Sequence, residues 1–327
     1  MEKIWMNKSI IRLGTRQSPL AMAQTKLTAT ALELFFPDIQ IEIKPIVTQG
    51  DKDRVRSLVS IGGTGVFVKE LEQALIDGEI DVAVHSLKDV PSEMDSRLTL
   101  AGFLKRANPH DVLIAKNHTL ATLPKGAKVG TGSPRRILQL REQRPDLSFV
   151  DLRGNLASRI AKVENNELDA ILLGAAGLER LGLLDVVSET FSPDVLTPAI
   201  GQGIVGLQCL KKNAEIISVL ERISDPFTAQ AARVERAWMS FLGGGCRAPM
   251  GAFLAPNGES GSAFYTYLSD PVSKNFYRDV FVQKASVFSE SDFELFGEEF
   301  IRKCNDLKIP LPKNIDPHRL LDFWGVL

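Results

Sequence analysis

The chain has 327 residues, more than one hydrophobic core usually organises, so two or three domains are expected. Its 39 Lys and Arg balance 40 Asp and Glu, and a net charge of -1 excludes bulk attraction to nucleic acid or an anionic membrane. The 3 cysteines include no CxxC pair and form neither a disulfide framework nor a zinc site, and no apolar run approaches the ~20 residues of a membrane helix. Met1 to Lys8 lack the apolar core of a signal peptide, so the sequence is read as cytoplasmic.

In chain order, Ile10 to Thr15 predicts a strand. Ser18-Pro19 then has the form of an N-cap with proline at the first helical position. Leu20, Ala23, Leu27, Ala31 and Leu34 follow at helical spacing, which predicts that this stripe faces the core. Ile39, Ile41 and Ile43 alternate as a strand that runs to about Thr48. After Gly62-Gly63-Thr64-Gly65, residues Phe67, Leu71, Ala74 and Leu75 mark a second helix that Gly78 can end. Ile80, Val82 and Val84 form the next strand, which stops at the polar turn His85-Ser86-Leu87-Lys88-Asp89. This β-α-β-α-β order predicts a parallel sheet covered by helices.

The order then repeats. A strand ends at Thr131, and Ser133-Pro134 is a second cap-plus-proline start, with Arg135 and Arg136 in the first turn. Phe149, Val150 and Leu152 form a strand that breaks at Arg153-Gly154-Asn155. Leu156, Ile160 and Val163 give a helix, Asp169 to Leu173 a strand, and Gly174 opens a short helix carrying Leu178, Arg180 and Leu181. The apolar, glycine-rich Pro198 to Cys209 reads as a buried strand returning to the first unit. A helix over Ala229 to Phe241 leads into GGGCRAP at 243–249, and strand runs near Phe264 and Phe276 precede a helix from about Asp292 to Cys304. The tail from Lys308 holds 3 prolines and predicts little.

Open α/β sheets bind ligands at the carboxyl ends of their strands, beside helix N-termini. Here those ends carry Arg16 and Ser18, Lys88 and Asp89, Thr131 with Ser133, Arg135 and Arg136, and Arg153, with Arg159 in the following helix. So many cations at strand ends of a nearly neutral chain imply a ligand with several carboxylates or phosphates. No GxxxxGK[ST] or GxGxxG occurs, so nucleotide motifs do not support the phosphate option. Asp89 is either a counterion or the partner of a substrate that becomes cationic. Cys246, between three glycines and Arg247, is either an ordinary loop thiol or a nucleophile or covalent anchor.

Taken together, TRQSPLA at 15–21, FVKELEQAL at 67–75, DVAVHSLKDVP at 81–91, GTGSPRR at 130–136, LRGN at 152–155, AGLERLGL at 176–183, PAIGQG at 198–203 and GGGCRAP at 243–249 resemble the porphobilinogen deaminase (hydroxymethylbilane synthase) family. The resemblance runs from residue 10 to about 255. It implies an α/β fold of three domains: 1–104 plus 200–222, then 105–199, both resembling the lobes of periplasmic binding proteins, and 223–327, a small α/β domain with the cysteine loop. It implies a dipyrromethane cofactor, thioether-linked to Cys246, onto which four porphobilinogen units are added with loss of ammonia before water releases the linear product.

By the same resemblance, Asp89 is the catalytic carboxylate, hydrogen-bonding pyrrole N–H groups and stabilising a cationic azafulvene. Ser18, Lys88, Thr131, Ser133, Arg135, Arg136 and Gln202 would bind the cofactor, and Arg16, Arg153, Arg159 and Arg180 the substrate carboxylates. A monomer with no metal, nucleic acid or membrane partner is implied. Three departures stand out: Thr64 where the family has lysine, Gly132 and Pro134 in the double-arginine motif, and Gln49 where arginine is common. The rival functions are a non-catalytic anion-binding protein and a divergent paralogue with weak elongation.

Overall fold

The computed structural model describes residues 10–48, 68–243, 249–258, 261–283 and 289–311. Cys246, Thr64 and Gln49 lie outside the described residues, as does the tail from 312. The chain begins with β1 (Ile10–Arg16), α1 (Pro19–Phe35), β2 (Gln40–Ile46), α2 (Lys69–Ile76), β3 (Val82–Ser86), a 3-10 turn (Leu87–Asp89) and β4 (Leu98–Phe103). It continues through β5 (Asp111–Ala115), β6 (Lys128–Gly130), α3 (Pro134–Gln143), β7 (Ser148–Val150), α4 (Leu156–Glu164), β8 (Ala170–Gly174), α5 (Ala175–Arg180) and β9 (Glu189–Thr190). Then come β10 (Val205–Leu210), α6 (Ala214–Arg222), α7 (Pro226–Phe241), β11 (Met250–Asn257), β12 (Gly261–Ser269), β13 (Phe276–Gln283) and α8 (Glu290–Asp306).

By its internal contacts the chain divides into two compact units, Met1–Arg106 with Ile204–Ala229 and Ala107–Gly203 with Gln230–Val326. The first holds a five-stranded sheet ordered β2-β1-β3-β10-β4. β2, β1 and β3 run parallel, while β10 is antiparallel to both β3 and β4. The all-parallel expectation is therefore corrected to a mixed sheet. The late strand β10 joins without the crossover helix that a parallel partner needs. Val205 and Leu207 of β10 pack with Ile11, Leu13, Val82 and Val84 against α1 and α6 on one face. Ala83 and Leu98 meet Leu71, Ala74 and Leu75 of α2 on the other.

α1 starts as its sequence predicts, with the Ser18 hydroxyl accepting from the Ala21 N–H at 3.2 Å and Pro19 in the first turn. Its buried face differs from the expected one. Ala21, Gln24, Thr25, Thr28, Ala29 and Leu32 are buried, whereas Leu27 is 49% and Leu34 78% exposed. The threonines fit inside because their hydroxyls donate back along the helix, Thr25 to the Ala21 carbonyl at 2.9 Å and Thr28 to that of Gln24 at 3.1 Å. Short side chains and satisfied hydroxyls let the helix lie close to the sheet around Leu32, and Leu27 and Leu34 are left outside.

In the second unit a five-stranded sheet runs β7-β6-β8-β5-β9, with β7, β6 and β8 parallel and β5 antiparallel to β8 and β9. Its order mirrors that of the first sheet: three parallel strands, then an antiparallel pair. The repeated element order in the sequence is thus a repeated topology. Leu140 of α3 packs on one face with Leu113, Val129 and Leu172. Ile160 and Val163 of α4 and Leu178 of α5 pack on the other with Val112, Ile171 and Leu173.

β11, β12 and β13 form an antiparallel meander, the third sheet expected, although its contacts join it to the second unit. Trp238 of α7 is fully buried, with ring centroids 4.6 Å from Phe300 and 5.0 Å from Phe296, both on α8. β11 is tied to the segment before Gly203 by the Ala252 N–H, which donates to the Pro198 carbonyl at 3.1 Å. A side chain at Gly251 would meet the carbonyl oxygens of Thr197 and Pro198 at 2.8 Å each. Only glycine lets the strand approach that closely.

Candidate active site

In the first unit, β1 and β3 end side by side and feed two tight connections. β1 ends at Arg16 and passes through Ser18 into α1. β3 runs through His85 and Ser86, one residue pair longer than expected, before the 3-10 turn Leu87–Asp89. These ends line one pocket with Arg16, Ser18, Leu20, Ala21, Gln24, Val68, Val84, His85, Ser86, Lys88 and Asp89. Four residues predicted from the sequence, Arg16, Ser18, Lys88 and Asp89, are therefore brought together.

The Asp89 carboxylate makes no hydrogen bond or ion pair among the described residues, and it is exposed to the pocket. The counterion alternative would have paired it with Lys88, and no such pair is present among the described residues. A single carboxylate without an internal partner, beside two cations, can face a ligand that carries carboxylates and develops a positive charge. The pocket also contains polar residues that the sequence did not single out. Gln24 is buried, and its amide Nε2 donates to the Ser86 hydroxyl at 2.8 Å. His85 is buried with its Nε2 2.9 Å from the Gln208 Oε1. Their spacing within α1 and β3 gave no sign of this, because Gln24 lies on the face predicted to be exposed.

The second unit treats its predicted residues differently. Ser133 caps α3 by accepting from the Arg136 N–H at 3.5 Å, and the buried Thr131 accepts from the Ser133 N–H at 3.2 Å. Arg135 and Arg136 are buried rather than displayed, at 5% and 8% exposure, and both engage Asp111 at the start of β5. Arg135 Nη1 donates to Asp111 Oδ2 at 2.7 Å and to the Thr197 carbonyl at 2.6 Å. Arg136 donates from Nε and Nη2 to Asp111 Oδ1 at 3.0 and 2.7 Å, and from Nη1 to the Leu172 carbonyl at 2.9 Å. Gln202 adds its Nε2 to Asp111 Oδ1 at 2.9 Å and to the Pro109 carbonyl at 2.7 Å.

Burial alone would raise the Asp111 pKa, but Arg135 and then Arg136 outweigh it and hold the carboxyl below the usual carboxylate range. Burial in turn lowers the Arg135 pKa. The sequence offered no means of finding Asp111, since an aspartate opening an apolar strand looks like a surface residue. Two guanidinium groups around one carboxylate keep one net positive charge, which fits a further anion.

The remaining arginines are more open. Arg153 contacts Asp151 at 3.2 Å, and Arg159 donates from Nε to the Gly154 carbonyl at 2.7 Å. Arg180 donates from Nη2 to the Gly203 carbonyl at 2.6 Å, its Nε is buried without a hydrogen-bond partner among the described residues, and burial lowers its pKa. A buried, unsatisfied guanidinium N–H is what an anionic group would complete. At the departing Gly132, an added side chain would meet the Asp151 carboxylate at 2.6 Å, so glycine leaves that carboxylate room to hold Arg153. Cys209 and Cys304 are both fully buried, and burial pushes each thiol up to about 12. Neither can serve as a reactive thiolate.

The family model for porphobilinogen deaminase, dipyromethane cofactor binding domain, matches residues 11–218. The porphobilinogen deaminase of Roseiflexus castenholzii is 45% identical over 253 residues, which span 77% of this chain and 84% of that protein. That of Geobacter sulfurreducens is 44% identical over 250 residues, 76% of this chain and 79% of its own. That of Limosilactobacillus reuteri is 45% identical over 257 residues, with 77% and 84% covered. Among solved structures, the periplasmic VFT2 domain of BvgS from Bordetella pertussis aligns with 66% of this chain and 87% of its own at 16% identity and a TM-score of 0.41, which decides nothing. A family match across both sheets, with these strand-end residues inside it, settles the assignment: the chain belongs to the porphobilinogen deaminase family.

Proposed function

We infer that the protein is a porphobilinogen deaminase, a transferase that condenses porphobilinogen units head to tail with loss of ammonia and then releases the linear tetrapyrrole by hydrolysis. The observation that carries this is the pocket at the ends of β1 and β3, where Asp89 stands without a partner among the described residues, beside Arg16, Ser18 and Lys88. Loss of ammonia leaves positive charge on a pyrrole ring, and a fixed carboxylate lowers the energy of that charge. Asp89 is the residue assigned to this step. Each pyrrole carries an acetate and a propionate, and Arg16, Arg153, Arg159 and Arg180 are assigned to hold them by charge-assisted hydrogen bonds.

The dipyrromethane of the family supplies, when bound, the free pyrrole carbon that accepts each new ring. The residues present fit such a polyanion, given the net positive charge around Asp111 and the unsatisfied Nε of Arg180. Ser18, Lys88, Thr131, Ser133, Arg135, Arg136 and Gln202 would hold its carboxylates, and Cys246 would anchor it. For Arg135 and Arg136 this is a shared duty, since both already grip Asp111. The reading extends to a monomeric, cytoplasmic enzyme that needs no metal. It also keeps the division into three domains, with 223–327, which includes α7, the meander and α8, as the third. No helix of the described residues is long and apolar enough to cross a membrane, and no group of three potential metal ligands occurs among them.

Intact mass of freshly purified protein tests the proposal. From cells that make porphobilinogen, the native chain should carry the mass of two linked pyrroles and Cys246→Ser should not. An unmodified native chain, or a modified Cys246→Ser, contradicts it.

A further inference from the structure

Behind the pocket runs a polar chain that the proposed chemistry does not use. His85 Nε2 lies 2.9 Å from Gln208 Oε1, and Gln208 Nε2 donates to Glu72 Oε1 at 2.9 Å, with Met94 Sδ at 3.6 Å. It links three elements: β3, β10 and α2. His85 itself is a pocket residue, while Gln208 is fully buried.

The order of donors along the chain follows from chemistry. An ionised Glu72 can only accept, so the Gln208 NH2 must face it and the amide oxygen must face His85. That oxygen also only accepts, so His85 Nε2 must carry a hydrogen. Gain or loss of a proton by the ring is then confined to Nδ1. When Glu72 is protonated the constraint disappears, because its hydroxyl can donate to the amide oxygen and Gln208 can turn over. Burial, foremost, raises the Glu72 pKa, Asp95 adds to this, and the Gln208 hydrogen bond and Lys69 oppose it.

Resting on the assignment of the pocket as the elongation site, we propose that Glu72 and Gln208 are positioning residues that lock His85 as an Nε2–H tautomer in that pocket. The lock keeps one imidazole orientation two residues before the Leu87–Asp89 turn, where Lys88 and Asp89 meet the substrate. It also ties the pocket to the ionisation of a carboxylate on a helix outside it. The charged groups facing the chain are Glu72, Asp95 and Lys69 at one end and Arg16, Lys88 and Asp89 at the pocket end.

Nitrogen-15 spectra of histidine-labelled holoenzyme test this, with His85 assigned among the 4 histidines by its loss in His85→Gln. In the native protein at neutral pH the His85 Nε2 should be the protonated ring nitrogen. In Glu72→Gln, which can donate as well as accept, the two His85 nitrogen signals should shift towards mixed tautomers. The same variant should lose about 10-fold in kcat, the low end for groups that support a site from behind, with KM for porphobilinogen little changed. Its kcat should also lose the part of the acid limb that protonation of Glu72 causes. A bare Nε2 in the native protein overturns the proposal, as does a folded Glu72→Gln with native spectra or native kcat. If Glu72→Gln does not fold, the native spectrum of the neutral ring decides alone: hydrogen on Nε2 upholds the lock and a bare Nε2 overturns it. Absence of any tetrapyrrole product would instead remove the function proposed above, and the spectra would still decide the lock.

Discussion

The two five-stranded sheets end in similar sequence signals and different sites. Each has a serine followed by proline at a strand end, and each serine caps a helix. In the first unit the neighbouring Arg16, Lys88 and Asp89 line an open pocket, and Asp89 has no internal partner among the described residues. In the second, Arg135 and Arg136 turn inward on a fully buried Asp111. Position at a strand end therefore does not by itself make a cation a ligand group. The difference lies in the aspartates: Asp111 is enclosed by two guanidinium groups, and Asp89 is exposed. Around Asp111 the opposing charges fix the architecture, whereas the Asp89 carboxylate faces the pocket with no partner among the described residues.

The largest effect should come from breaking the inward cluster. Asp111→Ala leaves two buried guanidinium groups without their carboxylate, and loss of one partner from a buried pair costs about 3–5 kcal/mol. Denaturant unfolding should show a loss of that order, and an unchanged midpoint would contradict a structural role for the cluster. The pH dependence has a definite sign. Asp111 has a folded pKa below its unfolded value of about 3.9, so its stabilisation is present above that pH and lost as pH falls towards the folded value. The native protein should therefore weaken progressively below about pH 4, and Asp111→Asn should show a shallower acid slope.

A milder disturbance comes from the same cluster's outer edge. Thr197 accepts from Arg135 through its carbonyl and lies against Gly251. Gly251→Ala pushes on that carbonyl and should cost about 1–3 kcal/mol, the usual penalty for overpacking. Thermal unfolding measures it, and a neutral result would show that β11 has room to move.

The smallest effects sharpen the comparison most. Ser18→Ala and Ser133→Ala each remove one helix cap and should each cost about 1 kcal/mol of stability. Their effects on turnover should part company. Ser18 lines the pocket, so its loss should raise KM for porphobilinogen more than the loss of Ser133 does. Equal changes in KM would mean that the two strand ends are functionally alike.

Much of this was legible in the sequence, for identifiable reasons. Ser-Pro caps, glycine stops such as Gly78 and alternating isoleucines are local signals, and they placed β1, α1, α2 and β3 well. Strands β4 and β5 were missed although Leu98-Thr99-Leu100 alternates and Asn108-Pro109 precedes Asp111, because both segments are short and no helical pattern lies between them. The buried face of α1 was assigned to the wrong side because hydrophobicity was read without Thr25 and Thr28, whose hydroxyls are satisfied within the helix. The pocket residues Arg16, Ser18, Lys88 and Asp89 were legible because each ends a strand or starts a helix. Asp111, Gln24 and Gln208 were not, since their importance rests on contacts 24, 62 and 123 residues away.

The contrast between a paired Asp111 and an unpaired Asp89 is tested most directly by single-turnover addition of porphobilinogen to Asp89→Asn holoenzyme, followed by the mass of the enzyme–substrate adducts. Asparagine keeps the shape and removes only the charge. The variant should unfold with native stability, because no partner among the described residues is lost, and should elongate at least ~100-fold more slowly, the lower range for one electrostatic group. Adducts that accumulate at the native rate would reduce Asp89 to a surface residue and contradict the account.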